Sequence, residues 1–228
     1  MRISACAAIF LGLLAPSTLW GQSASSASLL VLSKQDQTLS IVEPTNLRVV
    51  AKVPVGNDPH EVIASTDGKT AYVSNYGFGK YHTLAVVDLV NHKAEPSIDV
   101  WPLGGPHGLA FAEGKVWFTS EVAKAIGRYD PASRKVDWVL GNGQNRIHMV
   151  YVSPDAKLIV ATNVVSGTVS VIDHEPVRMT AQQGQANASE MQPDWNVTNI
   201  KVGNGSEGFD VSPDRREIWV ANAQDATI

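Results

Sequence analysis

The chain has 228 residues, 44% hydrophobic and 18% charged, with 18 Lys and Arg against 22 Asp and Glu for a net charge of -4. That is enough apolar matter for a packed core, and too little charge for an extended disordered chain. A mildly acidic chain has no field with which to gather phosphate backbones, so no nucleic-acid partner is expected; a lone Cys excludes a disulfide framework and any CxxC-type site.

Met1-Arg2 is a short positive start, and Ile3–Leu14 is an uncharged, mostly apolar run closed by Ala15-Pro16. This run is shorter than the about 20 apolar residues that a spanning helix needs. Residues 1–21 therefore read as a secretory signal peptide, cleaved between Gly21 and Ser25, with 22–28 a short polar linker. Export to the periplasm or the outside of the cell is the expectation, with no membrane span. Cys6 lies near the start of the apolar run, where a lipoprotein cleavage site would not be.

From Leu29 onward the chain repeats. His60–Ser65 (HEVIAS), His148–Ser153 (HMVYVS) and Glu207–Ser212 (EGFDVS) align, each followed by an Asp-containing turn at Asp67, Asp155 or Asp214. A fourth copy, His107–Ala112 (HGLAFA), has the shorter turn Glu113-Gly114-Lys115. After each turn comes a β-rich run to Asn75, Glu121, Asn163 or Asn222, and in the copies at 60, 107 and 148 a third run to Asp88, Asp130 or Asp173. A fourth run closes each complete unit in Gly104, Gly141 or Gly203. Short strands rich in Val, Ile, Tyr and Trp between such turns read as antiparallel hairpins. Four strands per unit, starting near 60, 107, 148 and 207, define an all-β fold of four-stranded blades, a β-propeller. Residues 174–199, rich in Gln, Ala, Asn and Ser, read as an insertion loop between the third and fourth strands of one blade.

SPDRREIWVAN, STDGKTAYVSN and TVSVID resemble the repeats of the YVTN family of β-propellers, and the resemblance runs over 29–228. Gly104–Pro131 is also similar to the repeat of streptogramin-lyase-like propellers. Leu29–Pro44 matches a second and third strand, and Thr227-Ile228 the start of a third. About four blades are therefore expected, and the resemblance implies that they are a fragment of a seven-bladed ring.

Hairpin register centred on each turn would set His60 opposite Asn75, His148 opposite Asn163 and Glu207 opposite Asn222, with His107 near Glu121. Inner strands line a propeller's channel, so these eight residues are the candidate ligand-binding set at one channel mouth. Imidazoles and carboxylates converging there would suit a transition metal or general acid–base work. No definite cofactor is indicated. A divalent metal held by His107 and His148 with Glu121 between them is the candidate, and an unknown small molecule or protein is the expected partner. The lyase resemblance implies His107 of GPHG and Glu121 of WFTSE as candidate catalytic residues, although that family's motif is WFTE. No GxSxG elbow, P-loop or CxxCH motif is present. The sequence favours a binding module. A metal-dependent lyase or lactonase-like hydrolase is the alternative, and a redox role like that of haem-d1-type propellers rests on fold analogy alone.

Overall fold

The computed structural model describes residues 27–177 and 192–228, without the side chains of 175–177 and 192–193. The expected signal peptide, Cys6 and the middle of the insertion lie outside these residues. In chain order the strands are β1 (Leu29–Ser33), β2 (Thr38–Glu43), β3 (Arg48–Pro54), β4 (Pro59–Ala64), β5 (Thr70–Asn75), β6 (Thr83–Asp88), β7 (Lys93–Asp99), β8 (Pro106–Ala112) and β9 (Lys115–Ser120). There follow β10 (Ala125–Asp130), β11 (Lys135–Gly141), β12 (Ile147–Val152), β13 (Leu158–Asn163), β14 (Thr168–Val177), β15 (Gln192–Lys201), β16 (Ser206–Val211) and β17 (Ile218–Asn222).

They form five antiparallel sheets: β1-β2-β3, β4-β5-β6-β7, β8-β9-β10-β11, β12-β13-β14-β15 and β16-β17. Three are complete four-stranded blades. Each neighbour in a sheet is also the neighbour in sequence, which is how hairpin-by-hairpin folding builds a propeller blade. A bridge from Asn222 to Thr227 begins a further strand beside β17. No helix among the described residues is long and apolar enough to cross a membrane.

The turn motif explains itself chemically. Ser65 Oγ donates to Asp67 at 2.6 Å, while the Lys69 and Thr70 N–H groups donate to Asp67 and Ser65. Ser153 with Asp155 and Ser212 with Asp214 repeat the arrangement. Side-chain acceptors thus take the backbone donors that a tight turn would otherwise leave free. Asp88 and Asp130 at the ends of β6 and β10 act likewise, accepting from Val90 and Asn91 and from Ala132, all at 2.9 Å.

The core lies between blades. Second strands are buried along nearly their whole length, TAYVSN in β5 and KVWFTS in β9 for example. Tyr72 and Leu84 of one blade pack with Leu109, Val116 and Phe118 of the next, and Trp117 and Ile126 pack with Ile147, Ile159 and Ile172 of the one after. Sheets buried on both faces need near-continuous apolar runs, which is why these strands show little alternation. The insertion stretch begins and ends as strand: β14 and β15 stay in register from Thr168–Lys201 out to Val177–Gln192. Trp195 there packs on His174 and on Trp138 of the preceding blade, with ring centroids 4.8 and 5.2 Å apart. Aromatic burial extends a hairpin whose composition is loop-like.

Candidate functional site

The inner strands β4, β8, β12 and β16 lie side by side, and each carries a β-bulge at the repeated His or Glu. Pro59 pairs with Asn75 and Val62 with Val73, so His60 and Glu61 together face Ser74. The same two-against-one step sets His107 and Gly108 against Thr119, His148 and Met149 against Thr162, and Glu207 and Gly208 against Ala221. An extra residue on one strand breaks the alternation of side chains and re-aims them.

A hydroxyl holds each of the first three bulges. Ser74 Oγ accepts from the Glu61 N–H at 3.1 Å, Thr119 Oγ1 from Gly108 at 2.9 Å and Thr162 Oγ1 from Met149 at 3.2 Å. Thr119 Oγ1 then donates to the His148 carbonyl and Thr162 Oγ1 to the Glu207 carbonyl, both at 2.6 Å. One side chain therefore closes its own bulge and ties it to the next blade's bulge.

This geometry corrects the register read from the turns. The expected pairing holds as far as Val62–Val73, Val150–Ala161 and Phe209–Val220, and the bulge then slips it by one residue. Asn75 faces Pro59, Asn163 faces Ile147 and Asn222 faces Ser206; Glu121 lies one residue beyond Ser120, which faces Pro106. Glu121 is thus equivalent to Tyr76, an offset that the shorter Glu113-Gly114 turn hides in the sequence.

The asparagines hydrogen-bond to the frame of the blades. Asn75 Nδ2 donates to the Val55 and Asn57 carbonyls, each at 2.9 Å, and Asn163 Oδ1 accepts from Asn142 Nδ2 at 3.0 Å. Asn222 Nδ2 donates to Thr227 Oγ1. For Glu207 the contact seen is main-chain, the carbonyl held by Thr162.

The three histidines do converge. Ring centroids of His60 and His107 are 4.2 Å apart, and those of His107 and His148 are 3.7 Å apart. Tyr76 packs on both His60 and His107, at 5.0 and 4.9 Å. His107 is 1% exposed, and neither of its ring nitrogens has a hydrogen-bond partner among the described residues; nor does Nδ1 of the buried His148. Burial, with His148 and His60 close by, pushes the His107 pKa down to about 2. Burial and then Arg146 push His148 down to about 4. Desolvation and then Lys34 lower His60. The cluster is therefore neutral at physiological pH, with lone pairs free of proton competition.

Charged side chains rim it. Lys34 Nζ lies 2.9 Å from both His60 Nδ1 and Asp58 Oδ1. The Tyr76 hydroxyl donates to Glu121, whose other oxygen is 3.6 Å from Arg146 Nε. Burial and then Glu121 raise the Tyr76 phenol to about 12. Glu61, half-buried and raised by desolvation, brings a carboxylate to the imidazoles: ligand atoms of His60, Glu61 and His107 lie within 4.8 Å of one another. Sequence reasoning missed Glu61, Tyr76, Lys34 and Asp58. Glu61 carried a signal, since it follows His60 directly; strand alternation hid it, and the bulge brings it back. Lys34 and Tyr76 share the repeat position of Glu121, directly after a second strand, and Asp58 that of Arg146, but the residue type changes at each copy, so the repeat does not announce them.

No family model and no curated protein matches the chain. Solved structures do. Hydrazine synthase from Kuenenia stuttgartiensis superposes with a TM-score of 0.68 at 18% identity, over 87% of this chain and 59% of that one. A 6-phosphogluconolactonase-like protein from Bacteroides uniformis gives 0.67 at 11% identity, over 89% of this chain and 62% of that one. Dihydro-heme d1 dehydrogenase gives 0.60 at 16% identity, over 86% of this chain and 40% of that one. With the blades described above, these likenesses show a β-propeller fold. The chain spans about three fifths or less of the length of the chains it resembles.

Proposed function

We propose that the protein is an exported, YVTN-type β-propeller that binds a small polar ligand at this channel mouth. The observation that carries the reading is the convergence of His60, His107 and His148 from three successive blades, with both ring nitrogens of His107 and Nδ1 of His148 buried and satisfied by no described group. Buried polar groups in folded proteins are almost always partnered, so a cluster of free nitrogens in a channel marks a place where a ligand supplies the partner. An exposed aromatic on the charged rim supports it: Phe78, 80% exposed, stands beside Tyr76 and under Lys34.

The test is a thermal-shift panel of small carboxylates, sugar acids and lactones on chelator-treated protein. At least one of these classes should raise the melting temperature of wild type and leave a His148→Ala, Phe78→Ala double variant unmoved. A panel that moves neither protein refutes the reading. A second, hydrolytic reading has one observation in its favour, the Tyr76–Glu121 acid–base pair beside His107. It requires lactone turnover that Glu121→Gln abolishes.

A further inference from the structure

We propose that His60, Glu61 and His107 bind one divalent first-row transition-metal ion, of the zinc class, at the channel mouth. This rests on the reading of that mouth as a binding site and names its inorganic ligand.

The donor set is the first argument. Two imidazoles and one carboxylate are the ligands of borderline ions such as zinc or iron(II), whereas calcium and magnesium take oxygen. The three offer atoms within 4.8 Å of one another. Donors about 2.0–2.2 Å from a tetrahedral ion stand about 3.3–3.6 Å apart. Rotation of the half-buried Glu61 and His60 side chains closes that difference.

His107 supplies the independent observation. It is 1% exposed, and both its nitrogens lack partners among the described residues. A neutral imidazole has one donor and one acceptor, and burying each unpaired is unfavourable. A metal on the acceptor nitrogen removes one of these two penalties. The bulge supplies the geometry, because it places His60 and Glu61 together against Ser74 where a regular strand would send them to opposite faces. Lys34 now occupies His60 Nδ1 but also contacts Asp58 at 2.9 Å, so it keeps a partner when a metal takes the imidazole.

The site differs from the one expected between His107 and His148. Those rings lie 3.7 Å apart and 38° from parallel. Among the described residues the donor atoms that gather within 4.8 Å of one another are those of His60, Glu61 and His107, without His148 or Glu121. Glu121 is engaged by Tyr76 and Arg146. His148 packs on the His107 ring, and Glu61 takes the carboxylate position.

The experiment uses the full chain without a His tag, stripped with chelator. It is titrated with Zn2+ by calorimetry and with Co2+ by visible absorption. One equivalent should bind, with Co2+ giving the ligand-field bands of a low-coordinate nitrogen–oxygen site. His60→Ala and Glu61→Gln should each weaken binding at least about tenfold, while His92→Ala, on an exposed turn, should not. Glu61→Gln is isosteric and keeps the test sound if His60→Ala misfolds, as judged by circular dichroism. Wild type that binds no ion, or binding that Glu61→Gln leaves unchanged, overturns the site. A metal-free protein that still responds to the organic panel loses this site and keeps the binding mouth. Stoichiometric metal with a silent panel does the reverse.

Discussion

Replacing Thr119 by Val tests the hydroxyl ladder that positions the histidines. Thr119 is fully buried; its Oγ1 accepts from the Gly108 N–H at 2.9 Å and donates to the His148 carbonyl at 2.6 Å. Valine keeps the shape, so no cavity forms, but a buried donor and a buried acceptor are stranded together. Each unsatisfied group costs about 1–3 kcal/mol, with carbonyls toward the low end, so Thr119→Val should cost about 2–4 kcal/mol. Against a usual total of about 5–15 kcal/mol, that is a large fraction. With a urea slope of about 1–3 kcal/mol/M, the midpoint should fall by about 1 M or more. Thr119→Ser keeps the hydroxyl and removes one methyl, so it should lose only about 1 kcal/mol. Urea unfolding followed by Trp fluorescence and circular dichroism reads both. A Thr119→Val midpoint within about 0.2 M of wild type would show that neither bond matters and that the bulges are held by something else.

Gly108→Ala would set a Cβ 2.5 Å from the His148 carbonyl oxygen and 2.7 Å from Met149 Cα, both backbone. It should cost about 1–3 kcal/mol by forcing β8 off β12. Its counterpart Gly208→Ala meets nothing within 4 Å and should be neutral or stabilising by about 0.4–1 kcal/mol, so equal effects in paired melts would contradict this packing. Asn75→Ala should destabilise by about 1–3 kcal/mol and leave Zn2+ binding as in wild type; a loss of Zn2+ without a loss of stability would return Asn75 to the ligand set. Metal-free protein should be most stable above about pH 6.5, where imidazoles are neutral in both states. Below it the unfolded chain protonates while His107 stays neutral to about 2 and His148 to about 4, so stability falls by up to about 1.4 kcal/mol per pH unit for each. A urea midpoint flat from pH 6.5 to 4.5 would mean that neither ring is buried.

What was legible in the sequence was whatever a single strand or turn determines by itself. The Ser–Asp turns are built from residues two apart, so SPD and STD announce them before any tertiary structure exists. The recurring His position was legible because the repeat multiplies it. A bulge, by contrast, exists only once two strands pair. Ser74, Thr119 and Thr162 stood at one repeat position all along, yet Ser and Thr look like ordinary strand residues until a hydroxyl is seen to receive the bulged N–H. The ends of the insertion were hidden for another reason. Their polar composition reads as loop, and the packing of Trp195 on Trp138 that extends the strands joins residues of different blades.

Repetition and function pull against each other at this mouth, and the bulge is where they separate. The scaffold is constant: two inner-strand residues oppose one second-strand residue in four successive blades. Its occupants differ, with His60-Glu61, His107-Gly108, His148-Met149 and Glu207-Gly208 at the equivalent places. Packing decides one of these differences, because no side chain fits at Gly108 against the backbone of β12. Close approach there is also what brings the His107 and His148 rings to 3.7 Å. A carboxylate beside an imidazole is therefore excluded from the second pair by sterics, replaced by Met in the third and separated from any His in the fourth. Only the first pair offers both donor types, and His107 of the adjacent blade stands 4.2 Å from it, centroid to centroid. A symmetric frame thus yields one asymmetric donor set, His60-Glu61 with His107, and the proposed metal site rests on that asymmetry.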